Sequence, residues 1–258
     1  MQVKIVSLTQ PCGLVAESHQ PEDLIAYCAR VSNPENQNNT KTAPRLLKFL
    51  IKHKHWSPFE MVDMAVEIKT SRAIAAQILR HRSFSFQEFS QRYSEAQVLE
   101  GLELRVQADS NRQSSSETFD DSQLSAKVRE YTAKGVALYN ELIKSGVAKE
   151  SARMILPLTT ETTMYMKGSI RSWIHYIDLR TEDNTQKEHR EIANECKKIF
   201  VQNFPNVSEA LWGTEHSDYR WKPSYNKEEI YSQTSPTKNI SDSDPFSPVS
   251  VDSKGIDL

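Results

Sequence analysis

Between Glu60 and Tyr93 the sequence changes its period twice, and few folds accommodate the result. Val62, Met64, Val66 and Ile68 alternate with Asp63, Glu67 and Lys69 from Glu60 to Thr70, the two-residue period of a half-buried strand. Ser71 is placed to cap a helix, SRAIAAQILRHR, built of good helix formers, on which Gln77 and Arg80 lie three apart and share a face. As that helix runs out the chain enters RHRSFSFQEFSQRY, Arg80 to Tyr93, which gathers Arg80, His81, Arg82 and Arg92 with Ser85, Ser90, Glu88 and Tyr93. Each guanidinium can present two parallel N–H bonds to a phosphate, so this density of donors suits an anion with several oxygens. Phe84, Phe86 and Phe89 are interleaved with the charges, so part of the segment is expected to be buried with its cations facing a cleft. The residues alone leave a second reading open: a basic loop that pairs with carboxylates of its own chain, or a non-catalytic module that binds nucleotides or nucleic acid.

The rest of the composition constrains partners more than fold. A chain of 258 residues can bury a sizeable core. Its formal charge of −2 gives no overall field to gather nucleic acid or an anionic membrane, so neither is expected as a partner and any attraction for anions is local. Cys12, Cys28 and Cys196 are widely separated, with no CxxC pair, which predicts reduced thiols in a cytoplasmic protein and no metal site. MQVKIVSLTQ is too short and polar for a secretory signal, and no apolar run approaches a membrane span. With seven glycines, no GxGxxG fingerprint and no P-loop, phosphates would be held by side chains and not by a Rossmann turn.

Along the chain, Met1–Leu8 reads as a strand and Pro21–Val31 as a helix with Glu22 and Asp23 in its first turn. A loop over 32–40 leads to a helix from Ala43 to Lys52. In HWSPFEM, Pro58 forces a turn that displays His55 and Ser57. Residues 103–123 have few apolar positions and no period, which predicts an exposed, lid-like loop. Helices are expected from Leu124 to Ser145, stopped by Gly146, and from Lys149 to Leu156, ended by Pro157. Thr159–Lys167 reads as a strand across the middle of a sheet. A further helix begins near Ile170, with Arg171, His175 and Asp178 in one stripe, and an amphipathic helix runs from Gln186 to Phe204 with Ile192, Ala193, Cys196, Ile199 and Phe200 inward. The polar stretch 216–258 reads as a disordered tail beyond a single domain over 1–215.

Four blocks of this sequence resemble the flavin-dependent thymidylate synthases. Arg80-His81-Arg82, seven residues and then Ser90, followed by Arg92-Tyr93, is similar to the family's R-H-R-x7-S signature, with Gln87 where the family commonly has Asn. HWSPFEM resembles H-x-[ST]-P-F-E-H, with Met61 in place of the last His. RMILPL around Arg153 resembles R-x-[IV]-L-P-L. Leu179-Arg180, a polar connector and Gln186-x-Glu188 resemble L-R-x(n)-A-Q-x-E-I, with Thr185 for the usual Ala and Asn184 for a frequent His or Gly. Arg105-x-Gln107 with Asn111 to Ser114 is similar to a loop that lies near substrate in many members.

The resemblance implies an α+β fold, a central and mostly antiparallel sheet flanked by long helices with no Rossmann domain, assembled as a homotetramer whose active sites lie between subunits. It implies reductive methylation of dUMP to dTMP, with 5,10-methylenetetrahydrofolate as carbon donor, FAD as hydride relay and NADPH as reductant. Carried onto this chain, Arg180 faces the pyrimidine and His55 stands where folate or nicotinamide stacks. Ser57, Arg80, His81, Arg82, Glu88, His175 and Asn184 contact FAD, and Gln77, Ser90, Gln91, Arg92, Tyr93, Arg153 and Arg180 hold the nucleotide.

Overall fold

The computed structural model describes residues 1–12, 20–91, 100–109, 111 and 114–213. The expected tail over 216–258 lies outside the described residues, as do Arg92, Tyr93, Arg112 and Gln113.

The first strand, β1 (Gln2–Leu8), is followed by α1 (Pro21–Ala29), two short 3-10 turns and α2 (Ala43–Lys52). The HWSPFEM segment forms a 3-10 turn over Ser57–Met61 and feeds β2 (Asp63–Ser71), so the strand starts three residues later than the alternation suggests. Ser71 caps α3 (Arg72–Ile78), its hydroxyl accepting from the Ile74 N–H at 3.4 Å. That helix stops at Ile78, which leaves Arg80 beyond it, so Gln77 and Arg80 do not share a helical face as the spacing predicts. The chain then forms β3 (Ser85–Glu88).

Residues expected to be a loop instead carry a hairpin, β4 (Arg105–Gln107) paired antiparallel with β5 (Ser115–Thr118). No apolar alternation announces it, because the bonds that hold it are polar and come from elsewhere in the chain. The long α4 (Ser122–Lys144) ends before Gly146, whose φ of +87° is the left-handed conformation that glycine takes without strain. The helix expected from Lys149 to Leu156 is one α turn, α5 (Lys149–Ala152), and a 3-10 turn over Arg153–Ile155. Pro157 explains the early end, because it biases Leu156 to the extended backbone observed there. β6 (Glu161–Ser169), α6 (Ile170–Arg180), α7 (Lys187–Asn203) and α8 (Pro205–Trp212) complete the fold.

The main sheet has the order β1-β2-β6-β3, with every neighbouring pair antiparallel. β2 and β6 are the inner strands, in register from Asp63 opposite Ser169 to Ser71 opposite Glu161. Met64, Val66, Ile68, Met164 and Met166 line one face and are fully buried. α6 and α7 pack on each other and on this side of the sheet, with α1, α2 and α8 behind them. The other face carries Asp63, Glu67, Lys69, Tyr165 and Lys167, where the Tyr165 hydroxyl donates to Glu67 at 3.0 Å and Lys167 pairs with Asp63 at 2.8 Å. One apolar and one polar face is the division expected of an antiparallel sheet covered on one side.

Candidate active site

Phe84 is the apolar anchor of the cation-rich segment. Its ring stands edge-on to Trp173 at 4.9 Å and to Tyr176 at 5.8 Å, and it lies over Gly168, where a Cβ would come within 2.5 Å of the Phe84 ring. This contact holds the turn between α3 and β3 against α6. His81 sits in that turn, half-buried, with its ring 5.0 Å from Tyr176. Arg80 and Arg82 on either side are exposed while Phe84 is buried, the division expected of this segment; among the described residues neither arginine has a carboxylate partner.

Arg180 closes the turn from the last residue of α6. Its Nε donates to His81 Nε2 at 2.9 Å. His81 therefore accepts on Nε2 and carries its proton on Nδ1. Burial, then the charges of Arg180 and Arg80, push its pKa down to about 4, so the ring is neutral near pH 7. A neutral ring here avoids adding a fourth positive charge to Arg80, Arg82 and Arg180.

Behind this pair lies a buried residue that the motifs do not flag. His189 on α7 is fully buried; its Nε2 is 3.2 Å from the Tyr176 hydroxyl and its Nδ1 is 3.3 Å from Gln77 Oε1. Burial first, then Arg180 and His81, push its pKa down to about 3. The signal was available: positions 189, 192, 193 and 196 make one helical stripe, and a His on an inward stripe calls for hydrogen-bond partners. Gln77 passes the contact on, donating from Nε2 to Gln186 Oε1 at 2.7 Å, and Gln186 donates to Glu188 at 2.9 Å.

The hairpin joins at Glu188. Arg105 Nη2 reaches both carboxylate oxygens, at 2.7 and 2.8 Å, while its Nη1 pairs with Glu103 at 3.1 Å and its Nε donates to Ser115. Burial works against ionising Glu188, yet its backbone N–H and the bonds from Arg105 and Gln186 hold the carboxyl below the usual range. Lys187 and Thr118 bind Glu103 as well and hold it down to about 2. A recess of about 280 Å³ opens between the hairpin and the start of α7, lined by Arg105, Gln107, Asp183, Gln186, Lys187 and Arg190 among others.

The remaining predicted residues fall in separate places. His55 and Ser57 are exposed at the turn before β2, with His55 6.0 Å from the Phe49 ring. His175 is exposed on α6, and its ring meets Trp56 at 5.6 Å, so this turn and α6 are neighbours. Phe49 also lines a second recess of about 460 Å³, with Arg30, Asn33 and Arg45. Glu88 belongs to neither group: it accepts from Thr162 at 3.0 Å and pairs with Arg72 at 3.4 Å. Asn184 is exposed in the connector after α6. Arg153 bonds the Glu150 carbonyl at 3.4 Å, and its turn packs on α4. Ser90 is half-buried, and Gln91 is buried with its Nε2 lacking a hydrogen-bond partner. Among the described residues no group of three or more His, Cys, Asp or Glu side chains could hold a metal ion, and no helix is long and apolar enough to cross a membrane.

A family profile described as "Thymidylate synthase complementing protein" matches residues 13–206. The chain is 55% identical over 218 residues to the flavin-dependent thymidylate synthase of Synechocystis sp., covering 82% of this chain and 99% of that protein. It belongs to the flavin-dependent thymidylate synthase family. A second relative in this family, the probable flavin-dependent thymidylate synthase of Paramecium bursaria Chlorella virus 1, is 52% identical over 217 residues, with 82% and 99% of the two chains covered. The family fold is also that of the UMP/dUMP methylase PolB from Streptomyces cacaoi, solved with 5-Br dUMP bound, which superposes with a TM-score of 0.68 at 24% identity over 81% of this chain and 93% of that one. His81 and Arg180, which meet at 2.9 Å, both lie within the stretch that the family profile matches.

Proposed function

We propose that this chain is a cytoplasmic enzyme that methylates dUMP reductively to dTMP, taking the carbon from 5,10-methylenetetrahydrofolate and reducing equivalents from NADPH. The observation that carries the reading is the Arg180–His81 bond, which joins positions 99 residues apart beside two arginines that have no carboxylate partner among the described residues. Guanidiniums that meet no carboxylate among the described residues suit a ligand that brings its own phosphates. Names given to the relatives at 52% and 55% identity support the same chemistry.

The donor set fits FAD. Arg80 and Arg82 would hold its phosphates, with Ser57, His81, Glu88, His175 and Asn184 contributing further contacts. When bound, FAD supplies the hydride relay between NADPH and the pyrimidine. The protein's own part is orientation. With Nε given to neutral His81, the two terminal nitrogens of Arg180, which meet no acceptor among the described residues, would face the pyrimidine edge. Gln77, Ser90, Gln91, Arg92, Tyr93 and Arg153 would hold the nucleotide, and His55, exposed on its turn, would stack against folate or nicotinamide.

A homotetramer with sites between subunits is part of this reading. Leu124, Tyr131 and Leu138 recur every seven residues on α4 and are 42%, 75% and 49% exposed, an apolar stripe of the kind that another copy covers. The decisive experiment is the visible spectrum of the purified protein followed by a thymidylate assay. Flavin absorption bleached by NADPH and tritium released from labelled dUMP are expected. A colourless protein that binds oligonucleotides with a steep salt dependence would overturn the proposal.

A further inference from the structure

We propose that His189 is a positioning residue that turns the Gln77 amide so that it offers a hydrogen-bond donor, and not an acceptor, to the nucleotide. This rests on the reading of Gln77 as a nucleotide contact.

The argument starts at the far end of the chain of bonds, where the chemistry allows one arrangement. Arg105 has no acceptor atom, and it grips both oxygens of Glu188 at 2.7 and 2.8 Å. Glu188 is therefore a carboxylate that can only accept. Gln186, at 2.9 Å, must present its NH2 to Glu188 and its carbonyl to Gln77. Gln77, at 2.7 Å, must in turn present its NH2 to Gln186, which leaves its carbonyl facing His189 Nδ1 at 3.3 Å. A carbonyl cannot donate, so the proton of neutral His189 sits on Nδ1. Its Nε2 is then a bare acceptor, and the Tyr176 hydroxyl at 3.2 Å must donate to it.

Every bond runs one way, from Tyr176 through His189, Gln77 and Gln186 to Glu188. At the fully buried His189 a reversal would set two donors or two acceptors against each other, which costs more than the bond itself is worth, while the two outer bonds, through the exposed Gln186, take their direction from the Glu188 carboxylate. The direction is thus set on the β4–β5 hairpin by Arg105 and transmitted to α3. At the half-buried Gln77 the carbonyl points inward to His189, and one N–H of the NH2 has no acceptor among the described residues. That N–H suits an acceptor oxygen of the ligand, either a phosphate oxygen or a pyrimidine carbonyl, and mismatches a ring amino group such as that of a cytosine nucleotide.

Two measurements test this. Ring 15N shifts of histidine-labelled, ligand-free protein, with the His189 signals assigned through His189→Asn, should show the Nδ1–H tautomer. Glu188→Gln, which ends the chain in a group able to donate, should convert it to a mixture. An Nε2–H tautomer, or one unchanged in Glu188→Gln, would overturn the inference without any ligand being involved. Calorimetry with dUMP should then find His189→Asn, whose amide can replace Nδ1–H, within about twofold of the parent, and His189→Leu weaker by about fivefold, the value of one neutral hydrogen bond. Equal affinity in His189→Leu would remove the role of His189, whereas no dUMP binding by the unsubstituted protein would overturn the nucleotide assignment of the preceding section instead. Deoxyuridine separates the two acceptors: a defect seen with dUMP and absent with deoxyuridine places the N–H on phosphate, and a defect in both places it on the base.

Discussion

Arg180 commits one of its donors to a neighbour within the protein, His81. The planar guanidinium offers Nε to His81 and keeps a separate pair of donors, a division that a lysine cannot reproduce because its ammonium is a single point of charge. Arg180→Lys should therefore leave the fold intact, with an unchanged circular dichroism spectrum, while kcat/KM for thymidylate formation drops by about a hundredfold or more, as expected when a positioned bidentate contact is lost at a reacting group. A variant retaining more than about a third of the parent value would show that Arg180 acts through charge alone. Much of this site is legible residue by residue: His81 and Arg180 both stand in recognisable blocks. His189 does not, because its importance comes from what Tyr176 and Gln77 bring to it, from 13 and 112 residues away.

At the scale of elements, the turn between α3 and β3 depends on a missing side chain. Gly168 lies in β6 where Phe84 crosses the strand, and a Cβ there would meet Cδ1 and Cε1 of that ring at 2.5 and 2.7 Å. The ring cannot withdraw easily, since Trp173 and Tyr176 hold its other sides. Gly168→Ala should cost about 1–3 kcal/mol, the usual range for overpacking a core, and lower the melting temperature by several degrees. The same substitution should weaken flavin retention, because Phe84 carries the turn that holds His81. Unchanged stability would mean that Phe84 has an alternative rotamer the packing does not reveal. β1, β2, β6 and the longer helices follow from sequence periodicity to within a few residues, whereas β3, four residues in the cation-rich segment, was not announced by it. The β4–β5 hairpin does not, because Arg105, Glu103 and Lys187 stabilise it through charge and no apolar alternation is required.

For the whole molecule, three titratable groups shifted by burial set opposing demands. His81 and His189 have pKa values pushed down to about 4 and about 3, so between those values and the ordinary 6.5 the unfolded chain binds protons that the native protein refuses. Stability from these two is present above pH 6.5 and is lost as the pH falls toward 4 and 3. Glu22 works the other way. Its carboxyl is buried in α1 and reaches the start of α8, accepting from the Asn206 and Val207 N–H groups at 3.1 Å, and burial outweighs these bonds to raise its pKa to about 7. Its contribution is full below pH 4.5 and is lost as the pH rises through about 7. Between pH 4.5 and 6.5 two groups oppose one, so unfolding should take up about one proton net, and urea midpoints should fall as the solution is acidified across that window. Glu22→Gln removes the opposing contribution and should steepen the fall; an unchanged slope would count against the assignment. The exposed stripe on α4 belongs to this scale as well. Tyr131→Asp should shift the protein to a smaller species in sedimentation velocity, with flavin binding lost alongside it if the sites lie between subunits.

The sequence alone determined the alternation of β2, the place of β6 in the middle of a sheet, the Ser71 cap of α3, the Gly146 stop of α4, the start of α6 near Ile170, and the two blocks that carry His81 and Arg180. These are legible because helix and strand periods are local and because the blocks are short runs of unusual residues. Only the tertiary structure decided that Arg180 bonds His81, that Arg105 orients a row of side chains ending at Tyr176, and that Glu22 caps a helix near the other end of the chain. Each of those is a choice of partner across scores of residues, and the direction of a row of hydrogen bonds is settled only when its members have met.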